Sequence, residues 1–235
     1  MMSSRRFSYF LVVIGGLYLI FSGVAGVHAQ SSIDGPFGLS TVEAPEAPLA
    51  AAWNGMLPQF GNDRTIVGQC RAESSFCASP AAQKFLGVLQ DAENKTGRLQ
   101  IAYINRAANA ALRKLNNPRA HTEWLSPLDV LIKDAADCKH YAVLKYAALG
   151  EAGIAPTALR IVVVEVRSTH QQHAMVAVRT EGQWLLLDNR TSILIESSKA
   201  LDYYDPLYML DQDGVRQFAL PSHPVHMARS DKSAY

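Results

Sequence analysis

The sequence has almost no excess of charge. Its 22 lysines and arginines face 21 aspartates and glutamates, and charged residues make up only 18% of the 235. Arg5 and Arg6 lie in the first stretch, so the remainder carries 20 basic residues against 21 acidic ones. A near-neutral chain has no field to steer it toward nucleic acid or an anionic membrane surface. Neither is expected as a partner. Internal repeats are lacking, which excludes solenoid and propeller architectures. Metal-binding patterns are thin. His170-x-x-His173 and His223-x-x-His226 lack an accompanying helix with a carboxylate, so zinc is not expected. Asp211-Gln212-Asp213-Gly214 has the first half of a calcium loop without its later ligands and is read as a polar turn.

Cysteine is scarce as well, with only Cys70, Cys77 and Cys138. The N-terminus gives their context. Arg5 and Arg6 precede an apolar run from Tyr9 to Gly26, which ends at Val27-His28-Ala29, a small-x-small pattern. This reads as a cleaved signal peptide; an uncleaved anchor is the alternative, and the one route to a membrane. Export implies an oxidising compartment. Cys70 and Cys77 are close enough in sequence for a local disulfide. Cys138 is then the odd thiol, which composition alone would make a buried, inert residue.

The rest of the chain divides in two. Ala50 to Leu57 reads as a short helix turning Trp53 and Leu57 inward. Ser79-Pro80 supplies an N-cap and a first-turn proline for a second helix. A longer helix runs from Arg98 to Leu115 with Leu99, Ala102, Ile104, Ala108, Leu112 and Leu115 as its apolar stripe, stopped by Asn116-Asn117-Pro118. Ser126-Pro127 opens another, and Asp137 caps one from Cys138 to Glu151 with Gly153 as its stop. Then the character changes. Ala158–Val166 is β-branched and apolar, a buried strand. His173–Val178 and Trp184–Leu187 are two more, joined through Arg179-Thr180-Glu181-Gly182. Tyr203–Leu210 adds a strand or tight turns. Helices first and a small antiparallel sheet second predict an α+β fold.

Cys138, His173 and Asp188 arrive in an order that suits a nucleophile, a base and an orienter. A thiolate is favoured at a helix N-terminus, where unpaired N–H groups carry partial positive charge. The Cys138 N–H has no intrahelical acceptor there and is a candidate oxyanion donor. A hairpin register in which paired numbers sum to 361 sets His173 opposite Asp188, Met175 opposite Leu186 and Ala177 opposite Trp184. Alternation puts all six on one face. Asp188 then holds one ring nitrogen of His173 and leaves the other for Cys138. His170 precedes the strand and is expected to be exposed. His140 points about 200° from Cys138 around a helix. Trp124 is read as core before cleft wall. Asn105 and Asn109, one helical turn apart, are read as solvated unless they brace the site.

These residues resemble the bacterial transglutaminase-like cysteine proteinases. The likeness rests on Asp137-Cys138-x-x-Tyr141-Ala142 with Lys145, on His173-Ala174 through Leu187-Asp188-Asn189, and more weakly on Trp53-Asn54-Gly55-Met56-Leu57 and Trp124 with Ser126-Pro127. The resemblance implies a papain-like or transglutaminase-like core, Cys138 as nucleophile, His173 as base and Asp188 as orienter. It also implies a periplasmic enzyme acting on a cell-surface protein. Its best-understood members look calcium-dependent and carry Asp-Cys-Glu-Asp around the nucleophile. Here the stretch is Asp137-Cys138-Lys139-His140, so no calcium, other metal or cofactor is expected.

The expected organisation is a signal peptide over 1–29, an extended segment over 30–48, a transglutaminase-like cysteine peptidase domain over 49–220 and a disordered tail over 221–235. The expected activity is that of an exported, monomeric thiol hydrolase cutting a protein or peptide amide. An acyl transferase or a cell-wall peptide hydrolase would use the same three residues. A non-catalytic binding module on the same fold is the alternative from another class.

Overall fold

A computed structural model describes residues 35–44, 48–115 and 123–219. The expected signal peptide, the Asn116-Asn117-Pro118 stop, the tail and its His223 and His226 lie outside these residues.

After one short strand, five helices follow among the described residues in the order that the caps predict: α1 (Pro48–Ala72), α2 (Pro80–Gln90), α3 (Gly97–Ala111), α4 (Pro127–Lys133) and α5 (Cys138–Glu151). Ser79 and Ser126 cap α2 and α4, each accepting a backbone N–H three residues on, and proline opens both helices. Two expectations need correcting. The helix at Ala50–Leu57 continues through Pro58 to Ala72. Proline removes one backbone bond and usually ends a helix. Here Trp53, Met56, Val67 and Cys70 are all buried along its length, and packing outweighs propensity. α3 also ends at Ala111, short of the expected Leu115, and its stripe is rotated from the expected one. Ile101, Ile104, Asn105 and Ala108 face inward, whereas Leu99 is exposed.

The strands form a seven-stranded sheet in the order β1-β9-β8-β4-β5-β6-β7, every neighbouring pair antiparallel. β4 (Leu159–Val166), β5 (Gln171–Thr180), β6 (Gln183–Leu187) and β8 (Tyr204–Asp211) extend the predicted strands by a few residues at most. β7 (Leu194–Glu196) and β9 (Gly214–Phe218) are additional. β1 (Thr41–Glu43), within the segment expected to be merely extended, pairs with β9 as an edge strand. Two short parallel pieces, β2 (Arg113–Lys114) and β3 (Ala135–Ala136), lead the chain into α5.

Alternation sorts the sheet residues to two sides. Ile161, Val163, Ala174, Val176, Val178, Leu185 and Leu187 join the helices in one core. Val162, Val164, Met175, Ala177 and Leu186 join Phe37, Tyr204 and Phe218 in another. α5 packs on β4 and β5, so its N-terminus is brought to the start of β5. A disulfide joins Cys70 to Cys77 and ties the end of α1 to the approach to α2.

Candidate active site

Asp137 has extended backbone and caps α5, its carboxylate accepting the His140 N–H. His140 is buried here. Its Nδ1 lies 3.0 Å from Asp137 Oδ1, and Nε2 donates to the Glu123 carbonyl at 3.1 Å. It braces the cap and the approach to α4. Lys139 reaches back and pairs with Asp137.

Cys138, the first residue of α5, is half-buried and a free thiol. Its sulfur is hydrogen-bonded by His173 and by the Ala174 N–H. Burial alone would push this thiol up. The His173 bond, the imidazolium charge and the Ala174 N–H outweigh it and bring it below its ordinary value. The reciprocal holds for His173. Burial pushes its ring down, but Asp188 and Cys138 together raise it. The two groups favour a thiolate–imidazolium pair.

His173 Nε2 lies 3.0 Å from Asp188 Oδ1, which leaves Nδ1 for the sulfur. The hairpin register differs from the expected one. Ala177 pairs with Leu186 and Thr180 with Gln183, so paired numbers sum to 363. The turn is the cause. Glu181 and Gly182 both have positive φ, 52° and 76°. That is the two-residue I′ geometry, not the four-residue loop assumed from sequence. His173 is therefore not directly opposed to Asp188, which lies one residue beyond β6. The slip is two residues, and an even slip keeps every side chain on its face. Met175, Ala177, Leu186 and Trp184 do share one side of the sheet.

Asp188 is buried at 1% exposure and heavily bonded. Its oxygens accept the Arg190 backbone N–H at 2.8 Å, Arg190 Nε at 3.0 Å and Nη2 at 2.7 Å. The Tyr204 hydroxyl donates to it at 3.3 Å and accepts from Arg190 Nη2. Burial raises this carboxyl, yet His173 and Arg190 hold it well below the usual carboxylate range. Sequence reasoning missed both partners. Asp188-x-Arg190 is an Asx turn, a local signal that was available. Tyr204 comes from another strand and has no local signal.

Asn105 and Asn109, read as solvated, instead brace this segment. Asn109 Nδ2 donates to the Asp188 carbonyl and the Thr191 carbonyl, both at 3.2 Å, and Asn105 Nδ2 to Thr191 at 3.5 Å. His170 sits in the β4–β5 turn, exposed and paired with Glu165 at 3.0 Å. Trp124 packs edge-on against Trp53 with ring centres 5.7 Å apart.

The residues around the nucleophile do not fit calcium. Asp137 is taken by Lys139 and His140, and Asp134 by Lys84 at 2.6 Å and Arg113 at 2.9 Å. Among the described residues no three histidine, cysteine or acidic side chains cluster as a metal site. A divalent ion about 4 Å from the Lys139 ammonium would meet a repulsion of roughly 8 kcal/mol at an effective dielectric near 20. Excess EGTA is therefore expected to leave the melting temperature and activity unchanged. A calcium-dependent rise of several degrees would show that other oxygens complete a site.

An antiparallel sheet backed by helices, with a cysteine at a helix N-terminus against a His–Asp pair, is the architecture of a transglutaminase-like cysteine proteinase. The family model for bacterial transglutaminase-like cysteine proteinases (BTLCP) matches residues 65–212, and the chain belongs to that family. The fold is similar to that of Legionella pneumophila LapG, with a TM-score of 0.54 and 18% identity over 66% of this chain and 87% of LapG. A calcium-bound form of LapG matches with the same score and identity over 69% of this chain and 91% of that one. No curated protein sequence matches.

Proposed function

We propose that this chain is an exported cysteine peptidase that hydrolyses an amide bond of a protein through Cys138, His173 and Asp188. The observation that carries this reading is the bonded series from the Cys138 sulfur through His173 to Asp188. The Cys138 thiolate attacks the substrate carbonyl carbon. The oxyanion that forms is held by the Cys138 N–H at the positive end of α5. His173, as imidazolium, gives its proton to the leaving amine, and a thioester remains on Cys138. His173 then takes a proton from water, whose oxygen attacks the thioester and releases the acid and the thiolate. Asp188 keeps Nδ1 aimed at sulfur throughout.

Export is supported by the Cys70–Cys77 disulfide, which persists in an oxidising compartment. Arg5 and Arg6 ahead of the apolar run that ends at Val27-His28-Ala29 support residues 1–29 as a removed signal, and the family match over residues 65–212 supports a single peptidase domain over 49–220. The resemblance also favours a periplasmic enzyme that acts on a cell-surface protein.

Iodoacetamide under non-reducing conditions tests the nucleophile. Cys138 is expected to be alkylated at a lower pH than an ordinary thiol, with loss of peptidase activity, while Cys70 and Cys77 stay unlabelled. A rate that only appears near the ordinary thiol range, about pH 8.5, would refute the thiolate–imidazolium pair. Labelling of all three would refute the disulfide as well.

A further inference from the structure

Lys145 is fully buried in α5, seven residues after Cys138. Seven residues are close to two helical turns, so both lie on one face. Helical side chains lean toward the N-terminus, which carries the Lys145 amine back toward the triad. Asp188 is the acidic group whose charge acts on it. Its Nζ has no hydrogen-bond partner among the described residues, and neither do the buried amide oxygens of Asn105, Asn109 and Asn189. The elements that carry these four atoms are neighbours. Asn105 and Asn109 hold the 188–191 segment, Asn189 is part of it, and α3 and α5 pack together. A buried amine without a partner is costly, and such groups concentrate where function requires them.

We propose that Lys145 is a positioning residue, a third cation beneath Asp188 whose charge opposes the proton on His173. It rests on the triad reading and deepens it. Three basic groups then share one carboxylate: His173 and Arg190 by direct bonds, Lys145 through space. The ionisable groups around this space are Cys138 from α5, His173 from β5, Asp188 and Arg190 after β6, and Tyr204 from β8. α3 contributes only the Asn105 and Asn109 amides, since its Tyr103 and Arg106 lie together elsewhere. α4 turns Asp129 and Lys133 to solvent, and β4 pairs Arg160 with Asp211 and Glu165 with His170. Burial pushes the Lys145 amine down to about 7, so it changes charge in the range where the triad works. With Lys145 protonated, it and Arg190 both compete with His173 for Asp188 and the imidazolium is weakened. With Lys145 neutral, His173 holds its proton more firmly.

The test is an NMR titration of the His173 ring, its signal identified by its loss in His173→Gln. Lys145→Met is expected to raise the His173 midpoint by roughly half a pH unit or more. Lys145→Arg, permanently charged, is expected to lower it. If Lys145→Met does not fold, Lys145→Gln carries the same expectation. Stability provides an independent check. The folded-state value near 7 lies below the ordinary lysine value of 10.5. Stability is therefore lost as pH falls from that ordinary value toward 7. Lys145→Met removes this loss and should not melt below the wild type at pH 7. An unmoved His173 midpoint overturns the proposal, and a lowered melting temperature beside it makes Lys145 a purely structural residue. The triad reading fails separately, if wild-type Cys138 proves unreactive toward iodoacetamide while the His173 midpoint still titrates.

Discussion

Asp188→Asn should leave a folded protein with turnover reduced by about four orders of magnitude, the loss known for the equivalent change in serine proteases. That factor corresponds to about 5.5 kcal/mol of transition-state stabilisation. The cause here is local. Asp188 Oδ1 accepts from His173 Nε2 at 3.0 Å, and the same carboxylate accepts from Arg190 and Tyr204. An amide of the same shape presents an NH₂ where an acceptor is needed. It favours the tautomer with the proton on Nδ1, facing sulfur, and withdraws the charge that raises His173. The thiolate–imidazolium pair then collapses to neutral thiol and imidazole. His173→Ala should be at least as damaging. His170→Ala should be nearly silent, because the His170 ring is exposed and pairs with Glu165 in the turn. Equal turnover for Asp188→Asn and wild type would remove Asp188 from the mechanism. The substitution also has a signature in stability. Asp188 is held below its ordinary value, so the stability it contributes is present above about pH 4 and is lost as pH falls further. The asparagine variant should therefore lose less stability on acidification between pH 5 and 3.

Much of this site is legible in the sequence, because its residues depend on local rules. Asp137 before Cys138 is a cap, and a cap fixes where a helix begins. His173 and Asp188 lie on arms of one hairpin, and parity alone puts them on one face. The register was not legible, since it depends on whether Glu181 adopts positive φ. Most residues resist that conformation, but Gly182 beside it and the twist of the strands favour it here. The support around Asp188 is non-local. Tyr204 reaches it only because β8 joins the far side of β4, where Val163 faces Tyr208 and Val164 faces Pro206 across a bulge. Asn105 and Asn109 look solvated on a helical wheel. They are turned inward because α3 buries a face containing Ile101, Ile104 and Ala108. Lys145 reads as a surface lysine by type, and only its 0% exposure reveals otherwise. α1 hides its length behind Pro58 and three glycines, residues that propensity counts against a helix.

Trp53→Ala should lower stability by about 3–5 kcal/mol, the range for removing a large buried aromatic ring. For a chain of this size that is a melting temperature lower by roughly 10 °C. Trp53 is fully buried and meets Phe60, Trp124 and Tyr146 edge-on, with ring centres 5.9, 5.7 and 6.0 Å away. Its indole N–H donates to the Asp211 carbonyl at 2.8 Å, so truncation also leaves a buried acceptor bare. One side chain thereby joins α1, α5, the approach to α4 and the β8–β9 turn. Trp53→Phe separates the two contributions. It keeps much of the ring and loses the donor, and should cost about 1–3 kcal/mol, the penalty of an unsatisfied buried group. A loss under about 1 kcal/mol for Trp53→Ala would mean that the aromatic cluster does not hold these elements together. The site gives the functional consequence. Trp124 lies one residue after Glu123, whose carbonyl anchors His140, and His140 supports the Asp137 cap beneath Cys138. Loss of the Trp53 ring should therefore slow alkylation of Cys138 even in the folded fraction, whereas Trp53→Phe should leave that rate near the wild-type value.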